Sequence, residues 1–359
     1  MYIGWQHGRV RGSDYDDFVS TFVDAVRERW PHVLLHWEDF AIGAANRLLS
    51  RYRDRLCTFN DDIQGTAEIA VGTLLSAINV TGVPLSEQRV AVLGAGSAGT
   101  GICALLLRAM VEAGIGEKQA RQSFYLVDKP GLLIEGMAGL LPFQADFAQD
   151  RNRLAGWTLD APDRIGLADV ISNAHPTVLI GTSGQAHGFA ESVVRTMAKY
   201  VKRPVIFPLS NPTERSEANP EDLDAWTQGR AVIATGSPFP PIKRNGREFR
   251  IDQNNNAYVY PGIGLGAIAV RARRISDAMF LAAAKAVAEL SPAKRDPQAN
   301  LLAPLVDIRK LSFHVALAIA RQAQTEEFAN ALSEEETAAA IRTKMWEPVY
   351  ASYRRITRT

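Results

Sequence analysis

The residues best equipped for chemistry in this sequence are four carboxylates in two adjacent pairs, Glu38-Asp39 in HWEDF and Asp61-Asp62 in TFNDDIQG. Neighbouring carboxylates repel, and burying them is costly unless a cation neutralises them. No cysteine or paired histidine accompanies them at metal-ligand spacing, so their convergence would suit a hard, oxygen-preferring ion such as Mg²⁺ or Mn²⁺. Acidic pairs also serve as solvated charge or helix caps. Here, however, bulky apolar residues and turn formers flank both pairs. His36 reads as structural, and Trp37 and Phe40 as packing around the pair.

A second constellation is GAGSAG, with Gly94, Gly96 and Gly99 in the pattern GxGxxG. It follows the apolar run RVAVL and opens a helical stretch, the context in which the motif binds a dinucleotide. Gly94 would permit the tight turn, Gly96 the approach of a pyrophosphate and Gly99 close packing of helix on strand. The next apolar run ends in Asp128, placed to accept hydrogen bonds from the adenine ribose hydroxyls. Its separation from the glycines exceeds the usual ~20 residues, and the loop GIGEKQARQ accounts for the excess. A carboxylate there disfavours a 2′-phosphate and so favours NAD over NADP, although Lys129 beside it pulls the other way. A third set is Asn211 in LSNPT with Asn254, Asn255 and Asn256 in QNNNAYVYPG. Amides beyond the carboxyl ends of parallel strands could bind a hydroxyl or carboxylate, and asparagine is equally a common turn residue.

The elements that must position these groups follow from periodicity. Residues 15–29 set Phe18, Phe22, Val23 and Val26 on one helical stripe. A short strand is predicted at Val33–His36 and a helix at Ala44–Tyr52. Thr66–Ile78 is apolar on nearly every face and reads as a buried helix. From Arg89 the texture becomes strand–helix alternation, with SFYLVD, TVLIGTS, PVIFPLS and AVIATGS as further strands. Such alternation indicates a parallel sheet wrapped by crossover helices. Beyond Pro261 the strands stop, and helices are predicted at Gly266–Leu290, Leu305–Gln324 and Glu334–Thr343. The fold class is therefore α/β: a Rossmann-like doubly wound parallel sheet, with a second, mainly helical unit formed by both chain ends. The expected division is a partial metal and substrate domain at 1–60, an NAD-binding domain at 61–255, and a helical segment at 256–359 returning to the first.

Composition narrows the class. The 359 residues are enough for two cores, and 40 basic against 39 acidic residues give a net charge of +1. Nucleic acid is thus a poor default partner. Cys57 and Cys103 are the two cysteines, both in apolar segments, which argues against a disulfide scaffold and fits a reducing cytoplasm. The start, MYIGWQHGRV, lacks the apolar core of a signal peptide. No run approaches the roughly 18 apolar residues of a membrane span.

In order and spacing, WEDF, RYRDRLCTFNDDIQGTA, VAVLGAGSAGTGI, PLSNPT, ATGSPF and NNNAYVYPGIGLG resemble the malic enzymes. LVDKPGLLIEGMAGLLPFQ is similar to the NAD-linked bacterial branch. The resemblance implies oxidative decarboxylation of malate to pyruvate and CO₂ with NAD and Mg²⁺ or Mn²⁺, in a family that forms homo-oligomers. It makes Glu38, Asp39 and Asp62 the metal ligands, with Asp62 also bordering the cofactor, and Asp61 the partner of a catalytic lysine. Gly94, Gly96, Gly99 and Asp128 become the dinucleotide fingerprint. Asn211 would sit between nicotinamide ribose and substrate, and Asn256 would bind substrate. The family's general-acid tyrosine, its lysine and a substrate-binding arginine lie ahead of the motif that stands here as YIGW, at residues 2–5. The chain is therefore expected to be truncated relative to the family and inactive alone. Ala44 also replaces a common asparagine. Two alternatives stand beside this reading: a catalytically dead NAD- and metal-binding module, and an NAD enzyme of the amino-acid-dehydrogenase type.

Overall fold

The computed structural model describes residues 4, 7–40, 42–244, 246–350 and 352–354. Of the YIGW motif, Gly4 alone falls among them. In chain order the first elements are α1 (Ser13–Arg29), β1 (Leu35–Trp37), α2 (Ile42–Tyr52), β2 (Thr58–Asn60), a π-helical turn at Asp61–Gly65, and α3 (Thr66–Thr81). The sheet region follows with β3 (Val90–Leu93), α4 (Ser97–Glu112), α5 (Glu117–Arg121), β4 (Phe124–Asp128), β5 (Gly131–Leu132) and α6 (Pro142–Ala145). It continues through α7 (Leu167–Ala174), β6 (Val178–Gly181), α8 (Glu191–Tyr200), β7 (Val205–Pro208), α9 (Pro220–Trp226) and β8 (Val232–Thr235). A hairpin of β9 (Ile242–Arg244) and β10 (Arg247–Phe249) precedes β11 (Asp252–Gln253). The chain ends with α10 (Tyr260–Ala269), α11 (Asp277–Glu289), α12 (Ile308–Thr325) and α13 (Glu334–Lys344).

The seven-stranded sheet has the order β11-β8-β7-β6-β3-β4-β5. Every pairing in it is parallel except that of β5 with β4. The chain leaves β3 toward β4 and then crosses back to β6 on the other side, so the order reverses between β3 and β6. Period-two alternation covers both faces. Val90, Val92, Phe124, Leu126, Val178, Ile180 and Phe207 join one core with α3, α4 and α10–α12. Ala91, Tyr125, Val127, Leu179 and Ile206 join another with α7–α9. The doubly wound α/β expectation is met. A third, small cluster of Val19, Val23, Trp37, Leu48, Tyr52 and Leu56 gathers α1, β1 and α2.

Several local expectations need correction. On α1 the buried stripe is Val19, Val23 and Val26, whereas Phe18 is 70% exposed and Phe22 46%. The aromatic residues lie one step around the helix from the face that meets Trp37 and Leu48. The first strand sits at Leu35–Trp37, not Val33–His36, because Leu35 N–H donates to Cys57 O and the ladder with β2 begins there. The single helix expected at Gly266–Leu290 is broken. Arg271 adopts a left-handed φ of 54°, and Ser276 caps α11 by accepting from Met279 N–H at 3.1 Å. The β9–β10 hairpin and β11 were not anticipated, since their residues are largely polar. Both cysteines are free and buried, and burial pushes the Cys57 thiol up to about 12. Among the described residues no helix is long and apolar enough to cross a membrane.

Candidate active site

Two short strands assemble the carboxylates. β1 and β2 run parallel, with Leu35 opposite Thr58, His36 opposite Phe59 and Trp37 opposite Asn60. Continued by one and two residues, that register brings Glu38 beside Asp61 and Asp39 beside Asp62. Asp39 N–H donates to Asp62 Oδ2 at 2.9 Å. Asp39 holds a left-handed φ of 61°, a conformation aspartate tolerates better than most residues. Oxygens of Glu38, Asp39 and Asp62 all lie within 4.8 Å of one another, as do donor atoms of His36, Glu38 and Asp61.

The sequence NDDIQGT builds the turn that presents the second pair. Asn60 Oδ1 accepts from Ile63 N–H at 2.9 Å, and Gln64 Oε1 accepts from Asn60 N–H at 3.0 Å. Gly65 leaves room for that pair, since a Cβ there would lie 2.0 Å from Asp61 Oδ1 and displace the carboxylate. Asp61 is buried, and Asn256 Nδ2 donates to its Oδ2 at 3.0 Å and its backbone carbonyl at 3.2 Å. Thr66 Oγ1 completes the link, donating to Asn256 Oδ1 at 3.4 Å. Asp61 Oδ1 has no hydrogen-bond partner. Burial raises the Asp61 carboxyl above its ordinary range, against the Asn256 hydrogen bond, which lowers it. Glu38 is also raised, first by partial burial and then by Asp61 and Asp62. Mutual repulsion and an orphaned buried oxygen are the marks of a site suited to a hard divalent cation.

These groups line one cavity of about 360 Å³. Its lining includes the carboxylates Glu38, Asp61 and Asp62 and the amides Asn211, Asn254, Asn255 and Asn256, with Thr66, Leu209, Gly236, Ala257 and Tyr260 completing it. Leu209 and Gly236 place it beyond the carboxyl ends of β7 and β8, where ligands bind in open α/β sheets. Ser237 Oγ donates to Asn211 Oδ1 at 2.5 Å and aims that amide. Asn255 accepts from Ala257 N–H at 2.9 Å, the turn-forming role weighed for it.

The glycine-rich turn adjoins this region. Gly94 has φ 102°, and a Cβ there would lie 2.6 Å from Thr182 backbone atoms. A Cβ on Gly99 would meet Gly94 O at 2.2 Å. Gly96 differs: its missing side chain faces open space, so no contact within the chain demands glycine there. A phosphate seated on the N-terminus of α4 would demand it. Asp128 Oδ1 accepts from Lys129 N–H at 2.8 Å, and Gln144 Nε2 bridges Asp128 Oδ2 at 3.3 Å and Ala95 O at 3.0 Å. The backbone contact of Lys129 does not require its amine.

Sequence reasoning missed three participants. Tyr260 lines the cavity, its ring 5.8 Å from that of His36. Gln144 ties Asp128 to the glycine turn, and Glu217 is a fully buried acid behind Asn211. Tyr260 follows Asn256 by four residues, so its place near the amides was readable. Glu217 gave no local signal, since its partners Ser183 and Ser210 lie on the loops that follow β6 and β7.

Comparison with known proteins identifies the family. Residues 63–324 match the profile "Malic enzyme, NAD binding domain", and residues 1–53 match "Malic enzyme, N-terminal domain". The chain is 50% identical over 355 residues to an NAD-dependent malic enzyme of Pseudomonas syringae pv. tomato, and 48% identical to one of Edwardsiella ictaluri. In both cases the match covers 99% of this chain and 63% of the relative, so the chain spans under two thirds of their length. Among solved structures, the malic enzyme of Pyrococcus horikoshii superposes with a TM-score of 0.71 at 26% identity, covering 91% of this chain and 69% of that one. That of Entamoeba histolytica gives 0.74 at 23% identity, over 92% and 62%, a likeness of fold. With the family profile spanning most of the chain, this protein belongs to the malic enzyme family.

Proposed function

We propose that this chain carries the metal and NAD sites of an enzyme that converts malate to pyruvate and CO₂ while reducing NAD⁺. The observation that carries the reading is the meeting of Glu38, Asp61, Asp62, Asn211 and Asn256 in one cavity beyond the sheet's carboxyl ends. Glu38, Asp39 and Asp62 hold Mg²⁺ or Mn²⁺, which when bound supplies Lewis-acid polarisation of the substrate carbonyl. Asn256 fixes Asp61 on the cavity wall, and Asn211 stands between nicotinamide ribose and substrate. Asp128 receives the adenine ribose, and Gln144 occupies the neighbourhood where a 2′-phosphate would need a cation. NAD⁺ is therefore preferred over NADP⁺.

A second reading, an inert module that binds both ligands, draws on one observation: no lysine or arginine is among the described residues lining the cavity. Oxidation requires a positioned base, typically worth 10²–10⁴-fold, and a cationic fork suits the substrate carboxylate. The experiment measures calorimetric binding of NAD⁺, NADP⁺ and Mn²⁺, and then malate-dependent NADH formation. The purified chain is assayed alone and with a polypeptide bearing the family's tyrosine, lysine and arginine. Tighter binding of NAD⁺ than NADP⁺, with turnover on complementation, supports the first reading. Binding without turnover under either condition supports the second, and no binding of NAD⁺ or Mn²⁺ overturns both.

A further inference from the structure

Glu217 lies six residues beyond Asn211 and is fully buried. No cation pairs with it among the described ion pairs. Instead, its Oε1 accepts from Ser183 N–H at 2.8 Å, Ser183 Oγ at 2.8 Å and Ser210 Oγ at 2.5 Å. Its Oε2 accepts from Ser210 N–H at 3.3 Å. Both hydroxyls pass the order on: Ser183 Oγ accepts from Gln185 N–H at 3.1 Å, and Ser210 Oγ from Gly184 N–H at 2.8 Å. One carboxylate thus fixes the backbone N–H groups of residues 183, 184, 185 and 210, directly or through a hydroxyl. Room for it is built into β6, where a Cβ on Gly181 would lie 2.5 Å from Glu217 Cδ.

The two segments it ties leave β6 and β7 on adjacent sides of the cleft. The last ladder bond between those strands runs from Leu209 N–H to Gly181 O at 2.8 Å. Past that point Glu217 joins the diverging chains. The first segment touches the glycine turn through Thr182 Oγ1, which donates to Gly94 O at 2.7 Å, and the second leads straight into Asn211. In a doubly wound sheet a dinucleotide lies across the point where strand order reverses, one mononucleotide on each half. Asp128, at the end of β4, marks the adenosine half. The β6 and β7 loops therefore face the nicotinamide half. A buried carboxylate is a costly way to fill space, since an apolar side chain would do so without desolvation. Its presence is explained by four donors that converge where the loops must be held.

We infer that Glu217 is a positioning residue for the nicotinamide half of the cofactor. It holds the β6 and β7 loops, and through them Asn211, in register without touching the dinucleotide. The inference rests on the NAD-binding reading above. Glu217→Gln keeps the shape: with its amide oxygen in the Oε1 place three bonds persist, and the amide NH₂ opposes Ser210 N–H. Ser210→Ala removes one hydroxyl link without altering charge and serves as the second variant.

Both variants and the parent are titrated with NAD⁺ and with ADP, which lacks both the nicotinamide and its ribose, and their melting temperatures are recorded. We expect NAD⁺ affinity to fall roughly tenfold in Glu217→Gln, and less in Ser210→Ala, consistent with loss of a hydrogen bond to a charged group. ADP affinity should stay at the parental value in both. Equal losses for the two ligands would show a purely structural role and overturn the inference, as would no loss for either. A parent that binds neither ligand overturns the NAD-binding reading, and this inference with it.

Discussion

Asp62→Asn removes one charge from the carboxylate cluster while preserving side-chain shape. A cation that binds the folded chain alone stabilises it by mass action, by about 2.7 kcal/mol at a hundred times its dissociation constant. Saturating Mn²⁺ should therefore raise the parent's melting temperature by several degrees, and the variant should lose most of that rise in a thermal-shift assay. Glu68, in the first turn of α3, makes a different prediction. It is fully buried, and neither carboxyl oxygen has a partner. Burial, aided by Asp61, holds its carboxyl well above the ordinary value of 4.5. The folded state then keeps a proton that the unfolded chain has released, so stability falls as pH rises from the ordinary value toward the folded one. Glu68→Met should stabilise the protein by about 1–3 kcal/mol at neutral pH. The gain should shrink below pH 4.5, where both states are protonated. Urea unfolding at the two pH values checks it, and a gain independent of pH would show that ionisation is not the cause. Glu68 stands in plain view inside an apolar helix, yet its isolation depends on helices packed from far along the chain.

At the scale of elements, α10 carries Tyr260 into the cavity and packs tightly on α12. A Cβ on Gly262 would lie 2.6 Å from Val315 Cβ, and one on Gly266 would lie 2.5 Å from Ala316 O. Gly266→Ala must push the two helices apart, costing about 1–3 kcal/mol by overpacking, to be read from chemical denaturation. Elements with strong periodicity were legible: α3, α4, strands β3, β4, β6, β7 and β8 of the sheet, and α12 fall where their patterns put them. The failures share a physical cause, namely that tertiary contact decided between locally equivalent choices. The face of α1 was set by which side meets Trp37, so Val19 is buried and Phe18 is not. The break between α10 and α11 occurs at Arg271, with no glycine or proline to announce it.

Over the whole molecule, one continuous core runs from Cys57 through the sheet to Ile341. It joins the sheet to α3 and α10–α13, so these parts cannot lose their packing independently. Native-state hydrogen exchange should accordingly give the innermost amides of β3, β6 and β7 and those of α11 and α12 one shared opening free energy. Distinct opening free energies for the two sets would show that the sheet and the helical layer unfold independently. The candidate site was legible as residue types: Glu38, Asp61, Asp62, Asn211 and Asn256 were all singled out, and one cavity gathers them. What stayed hidden was the machinery behind them, such as Glu217 and Gln144, because hydrogen bonds between distant loops leave no periodic trace.

The parallel register of β1 and β2 also limits how this site can change in evolution. The carboxylates meet because each pair emerges in step from its strand, so the site depends on counting within Leu35–Asp39 and Thr58–Asp62. Losing one residue from either stretch would slide one pair past the other and turn alternate side chains to the opposite face. The turn at 53–55 carries no such phase, and loop length there adds little entropic cost. Insertions and deletions should therefore be absent from two five-residue windows and tolerated in the turn just before the second. That pattern would mark the site in any lineage, even after its surroundings had diverged.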